Sequence, residues 1–302
     1  MGVNESTIKE EEKIETHGYW YYVFKRLRKH KIAMISLVVL IIIILSAVFA
    51  PYLSLGNDPF TYIESVPWSM RAELAPPGPG HPLGLDQMAR DAWARLLYGG
   101  RISLTVGLTA SLLSAIIGLI LGLLSGYLGG LTDTLIMRFT DMMLSIPVLP
   151  LMVVLNAIIK GSVFTIVLII TVFGWMGVAR LVRGEVLSLR EQEFTEAARA
   201  IGVSPLRIMV RHLLPNVMAP VIVASTLAIS GNIIYEATLS FLGLGIRQPT
   251  PSWGNMLNGA QTFMLSAPWL VWWPGLAIFI TTLSFNFLGD GLRDALDPRL
   301  KI

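Results

Sequence analysis

The 302 residues are 54% hydrophobic and 14% charged, with a mean hydropathy of +0.64 and a formal charge of +3. A soluble domain of this length carries far more charge, so the composition excludes one and points to a chain held in a lipid bilayer. The absence of cysteine excludes disulfides, thiolate metal sites and thiol catalysis.

Residues 1–31 begin acidic (Glu5, Glu10, Glu11, Glu12) and lead into an apolar run too long for the core of a cleavable signal, so none is expected. Tyr19-Trp20-Tyr21-Tyr22, followed by Lys25-Arg26-Leu27-Arg28-Lys29-His30-Lys31, predicts a helix at the membrane surface. Its aromatics would sit among the headgroups and its cations towards anionic lipid. Six apolar stretches then approach the ~20 residues needed to cross the hydrocarbon core: 32–53, 103–127, 136–159, 163–182, 217–235 and 269–288. Lipid tolerates no unpaired backbone, so the expected fold class is an all-α membrane protein of six transmembrane helices. Only Lys160-Gly161-Ser162 separates the third stretch from the fourth, which predicts a tight helical hairpin.

The segment between the first two stretches is long, and its Pro76-Pro77-Gly78-Pro79-Gly80 cannot be helical. His81 and Asp86 in such a loop do not make a zinc ligand set. Ala110, Ser114, Gly118, Gly122 and Gly126 recur every four residues through the second span. A ladder of small residues admits a crossing helix, supplied by this chain or by a sister subunit. Pro147 and Pro150 predict a kinked third span, suited to lining a path that opens and closes. Asp141 lies one turn from Arg138, and an ion pair between them accounts for a charge near the span. Glu236 ends the fifth span beside Asn232. It either meets a cationic group at the outer mouth or caps the bundle through Arg247, the structural role being the expectation.

Between the fourth and fifth spans lies a charged island, Glu193 to Arg207. Glu196, Ala197, Ala198, Arg199 and Ala200 are strong helix formers. Gly202 ends that helix, and after Val203 the pair Ser204-Pro205 starts another, with serine as cap and proline at the first position. The second helix, carrying Leu206 and Arg207, is expected to run to Leu214, where Pro215 breaks it. The product is a helix–corner–helix held by spans on both sides. Of the 23 Lys and Arg, only Arg71, Arg90, Arg95, Arg101, Lys160 and Arg247 fall outside if the N-terminus is inside. That bias predicts both termini and the island on the cytoplasmic side, and it explains the net charge without nucleic acid.

Glu196-Ala197-Ala198, three residues, Gly202, then Leu214-Pro215 resembles the EAA loop of permease subunits of ATP-binding-cassette importers. His212 stands where the general pattern has Ile. His81-Pro82-Leu83-Gly84-Leu85-Asp86, Pro249-Thr250-Pro251-Ser252-Trp253-Gly254 and Asn286-Phe287-Leu288-Gly289-Asp290-Gly291 resemble the oligopeptide/dipeptide branch, with Leu85 and Ala89 as small departures. The resemblance implies the type I importer permease fold, one extra N-terminal helix before a five-helix core. It divides the chain into a cytoplasmic tail and interfacial helix (1–31), a first span (32–55), an extracytoplasmic loop (56–101), a core (102–288) whose EAA loop covers about 184–216, and a tail (289–302) packed under the bundle. It further implies a cell-membrane location, coupling to ATPases through Glu196, Ala197, Ala198 and Gly202 to Arg207, and a path for which Glu236, Asn232, Pro147 and Asp141 are candidates. The implied partners are a second permease, two ATPase subunits, an external binding protein and membrane lipid. The chain itself needs no cofactor. It has no Gly-x4-Gly-Lys-[Ser/Thr] loop, so ATP and Mg belong to the partners and the chain is not an enzyme. The implied cargo is a di- or oligopeptide, with an oligosaccharide or a nickel complex as alternatives. An ATP-independent secondary transporter is the rival class, and it would need ion-coordinating groups or broken helices at midplane.

Overall fold

The computed structural model describes residues 19–60, 74–159 and 161–296. The acidic start of the chain, residues 61–73, Lys160 and Asp297-Pro298 lie outside the described residues. α1 (Tyr19–Lys29) stops at His30, whose Nδ1 accepts from the Ala33 amide at 3.2 Å and so opens α2 (Lys31–Val48). One further turn, α3 (Ala50–Leu53), prolongs α2 outward.

α4 (Ala92–Leu128) begins well before the expected start at residue 103. Asp91 caps it, Oδ1 accepting from the Ala94 amide at 2.6 Å, so the charged outer turns are stable as helix. Pro147 does more than kink the third span. α5 (Gly130–Leu144) stops, Ser145-Ile146-Pro147 intervene, and α6 (Val148–Ile159) restarts at an angle of 82°. Proline lacks the amide needed to continue and turns its predecessor away from helical torsions. α7 (Val163–Arg190) is capped by Ser162, whose Oγ accepts from the Thr165 amide at 3.1 Å. Gly161 is pressed so closely onto the carbonyls of Gly245 and Leu244 that no side chain fits there.

α8 (Glu193–Ala200) and α9 (Pro205–Ile208) form the helix–corner–helix. The expectation that Pro215 ends the second helix fails. α9 passes through a π turn, Met209–Leu213, straight into α10 (Leu214–Phe241). The wider π turn relieves the clash that a proline ring has with an upstream carbonyl in a regular helix. Asn216 Nδ2 meets the His212 carbonyl at 2.6 Å. A short outer helix not anticipated between spans, α11 (Trp253–Ala260), starts with a capping box in which Ser252 and Asn255 bond each other's backbone amides. α12 (Trp269–Leu296) ends the described chain, its residues 289–296 prolonging the sixth span.

α2, α4, α7, the α9–α10 unit and α12 are each long and apolar enough to cross a membrane, and the bent α5/α6 pair counted as one span makes six. The small-residue ladder meets α7 of the same chain. A Cβ on Gly118, Gly122 or Gly126 would lie 2.6, 2.6 or 2.8 Å from the Cβ of Val178, Val182 or Val186. The two helices keep contact over about four turns, roughly 24 Å. Val23 and Leu27 of α1 pack with Ala33, Val223, Ala295 and Leu296, so α1 grips the end of α12.

Candidate coupling element and transport path

At the corner between α8 and α9 the Val203 amide bonds the Ala198 carbonyl at 3.1 Å, and the Gly202 amide bonds that of Arg199 at 3.0 Å. This Schellman closure needs a left-handed residue, and Gly202 provides it at φ 78°. Ser204 has the extended torsions of a cap (φ −63°, ψ 147°), but its side chain makes no capping bond. Thr195 and Ala198 turn inward, Thr195 Oγ1 donating to the Leu189 carbonyl at 2.8 Å. Ala198, Ile208, Met209 and Leu213 join Val182, Val186 and Val217 in one apolar cluster. The element is therefore seated on the C-terminal end of α7 and the N-terminal end of α10.

Its other face is bare. Ile201 is 81% exposed and Leu206 68%, with Phe194 and Val210 beside them. Glu196, Ala197, Arg199, Pro205 and Arg207 are exposed, Val203 is half-buried, and a Cβ on Gly202 would meet nothing within 4 Å. Large apolar side chains rimmed by charges in one patch mark a contact surface.

The candidate path residues do not form one site. Glu236 is fully buried and does not reach Arg247. Its Oε1 accepts from Ser240 Oγ and its Oε2 from Ser103 Oγ, both at 2.7 Å. Those hydroxyls in turn accept the amides of Ile246 and Trp253. One carboxylate thus joins α4, α10 and the start of α11. Asn232 is buried on α10, where the neighbouring Ser230 Oγ lies 2.8 Å from Asn286 Oδ1 of α12. Pro147 lies at the exposed break between α5 and α6. Asp141 is paired, but with Arg180 of α7 in place of the expected Arg138. Asp141 reaches α7 from α5, and its charge is met across the helix pair.

Two clusters escaped the sequence. Asp133 receives both Nε and Nη2 of Arg183 at 2.6 Å and also bonds Ser125, tying the inner ends of α4, α5 and α7. At the outer end, Asp86 Oδ2 takes Arg90 Nε at 2.8 Å and lies 3.5 Å from Arg95 Nε. Arg95 Nη1 donates to the Pro59 carbonyl at 2.9 Å, and Arg90 Nη1 to Gln248 Oε1 at 2.9 Å. His81 Nδ1 meets Asp91 Oδ2 at 2.7 Å. Among the described residues no group of three His, Cys, Asp or Glu could hold a metal ion. The only local signal was the spacing of Asp86 and Arg90, one helical turn's length inside a loop.

A six-span helical bundle with an exposed corner element continuous with one of its spans is the build of a transport permease that takes its drive from outside itself. The family described as binding-protein-dependent transport system inner membrane component matches residues 118–302, and the N-terminal TM domain of oligopeptide transport permease C matches residues 18–77. The chain belongs to this family of inner-membrane permeases, the non-catalytic membrane subunits of ATP-binding-cassette importers. It is 42% identical to the dipeptide transport system permease protein DppC of Alkalihalophilus pseudofirmus, over 93% of this chain and 90% of that one. It is 41% identical to the oligopeptide transport system permease protein OppC of Haemophilus influenzae (96% and 92% covered) and to the glutathione transport system permease protein GsiD of Shigella flexneri (93% and 91%). Among solved structures, an inward-facing form of the MetNI methionine ABC transporter matches with a TM-score of 0.52 at 21% identity, over 67% of this chain and 96% of that one. That likeness establishes the type I importer permease fold.

Proposed function

We propose that this permease passes di- or oligopeptides, delivered by an external binding protein, and is driven by two ATPase subunits, one of which docks on the α8–Gly202–α9 corner. The observation that carries the reading is the bare apolar face of that corner on a helix continuous with α10. Burying Ile201 and Leu206 in a partner is favourable by roughly 1.5–3 kcal/mol each. A push on α9 is transmitted along α10 with no hinge between them except the π turn. Glu196, Ala197, Ala198 and Gly202 to Arg207 are the coupling residues in this reading. Both termini and the corner are cytoplasmic, where ATP and Mg are available to the partners, and a second permease completes the path. The names of the relatives favour a peptide cargo over a sugar or a nickel complex.

Gentle affinity purification from the native membrane, with mass spectrometry of what accompanies the chain, tests this. An ATPase with a phosphate loop, a second permease and a binding protein carrying a peptide are expected. A stable homo-oligomer free of ATPase in several mild detergents would refute it in favour of an ATP-independent transporter.

A further inference from the structure

The exposed face of α5 is divided lengthwise. Thr134, Arg138, Asp141 and Ser145 are all exposed. At 100° per residue they fall within an arc of about 60°. Leu131, Leu135, Phe139 and Met142 are also exposed and occupy the adjoining sector. Arg180 of α7 joins the polar side through its ion pair with Asp141, and both side chains are 51% exposed. Arg138 forms no ion pair or hydrogen bond among the described residues.

Depth gives this division its meaning. Asp133, Arg183 and Arg190 gather around the inner end of α4, where Arg190 Nη1 reaches the Gly126 carbonyl. Asp141 lies eight residues further along α5, roughly 12 Å into the span. Charges at that depth are not left facing lipid; they face a water-filled space or another protein. An open, half-exposed pair of both signs with a further guanidinium beside it fits water better than a dry contact, which would demand a partner for every donor.

From this we infer that the polar stripe of α5, with Arg180, lines the aqueous route through the inner half of the membrane, and that it receives the charged ends of a zwitterionic cargo. Arg138 faces the cargo carboxylate, and Asp141, held by Arg180, faces the ammonium group. The apolar stripe beside it seals the route against lipid or the second permease. The break at Ser145-Ile146-Pro147 lies at the top of the stripe, so α5 can tilt without dragging α6. This assignment rests on the peptide-importer reading for its cargo, but not for its water.

The chain has no cysteine, so a thiol placed in it is the only one it carries. In the assembled importer in vesicles, Thr134→Cys, Arg138→Cys and Ser145→Cys are expected to react with a membrane-impermeant charged methanethiosulfonate. Their rates should exceed those of Leu131→Cys, Leu135→Cys and Phe139→Cys by an order of magnitude or more, read from the mass of this chain. Equal rates on the two stripes, or no reaction of the polar one with or without nucleotide, would overturn the route. The second arm measures uptake by Arg138→Gln, which should fall about tenfold or more for a peptide with a free C-terminus, as expected for loss of a charge-assisted bond. A C-terminally amidated peptide should be spared. Equal losses for both would overturn the carboxylate contact. The labelling arm needs no peptide, so an importer of another cargo would fail the second arm and leave the first unaffected.

Discussion

The seam between α4 and α7 and the corner between α8 and α9 use glycine for opposite reasons. Along the seam, glycine is required by what surrounds it: a Cβ on Gly122 would lie 2.6 Å from that of Val182 and 2.7 Å from the Ala179 carbonyl. At the corner it is required by its own torsions, since Gly202 has φ 78° and open space around it. One glycine is packed against; the other is bare. The seam holds the bundle together, whereas the corner leaves its apolar face open, as the proposed docking of an ATPase requires.

The sharpest way to break the comparison is Gly122→Val. Its branched side chain must part α4 from α7, and overpacking of this kind costs about 3 kcal/mol or more. Little folded protein is expected in the membrane, as measured by detergent-resistant, protease-stable yield. A normal yield would mean that the seam is loose and that the two glycines do not differ in kind.

Next comes the outer stitch. Glu236→Ala removes the acceptor for the Ser103 and Ser240 hydroxyls, through which α4, α10 and α11 are joined, and a buried polar group left unsatisfied costs roughly 1–3 kcal/mol. Thermal unfolding of the purified complex should begin several degrees lower, with Glu236→Gln in between because it keeps one oxygen. Unchanged melting of Glu236→Ala would show that the outer helices are held by apolar packing alone.

Gly202→Asp then tests the corner itself. A left-handed aspartate costs about 1–2 kcal/mol, small enough for the protein to fold. Membrane insertion and yield should stay near normal while uptake is lost and ATP hydrolysis no longer depends on cargo. Normal uptake would remove the coupling assignment.

These contrasts explain what the sequence could and could not disclose. Most spans and the Gly202-Val203-Ser204-Pro205 corner are local patterns, written within a few residues, and were legible, although the cap expected of Ser204 makes no side-chain bond. The ladder from Ala110 to Gly126 told of a close neighbour but not which one, because α7 is supplied from more than fifty residues away. Separations of 50 and 39 residues hid the Asp133–Arg183 and Asp141–Arg180 pairs and sent Asp141 to the wrong arginine. Proline was misread twice in opposite directions. Pro147 stops a helix outright, whereas Pro215 is absorbed by a π turn, and only packing around Met209 and Leu213 decides between those outcomes. Glu236 was expected to be structural, but through Arg247, because its partner Ser103 lies on α4, 133 residues away. The EAA pattern resembled a known family residue by residue, yet its exposed side became visible only once Thr195, Ala198 and Ile208 were seen turned inward.

The smallest change in stability should come from Ile201→Ser, and it bears most directly on docking. At 81% exposure Ile201 adds almost nothing to the fold, so the variant should unfold within about 0.5 kcal/mol of the parent. If the corner is a partner's seat, that same side chain is buried in the assembly and its loss weakens binding by up to about 1.5–3 kcal/mol. Pull-down of the ATPase at limiting concentration should then fall about tenfold while the permease melts as before. Gly202→Asp alone cannot separate a strained corner from a lost contact. Ile201→Ser can, since it leaves every backbone torsion where it was. A full-strength pull-down would place the seat elsewhere on the inner face, with the charged residues Glu196, Arg199 and Arg207 next in line.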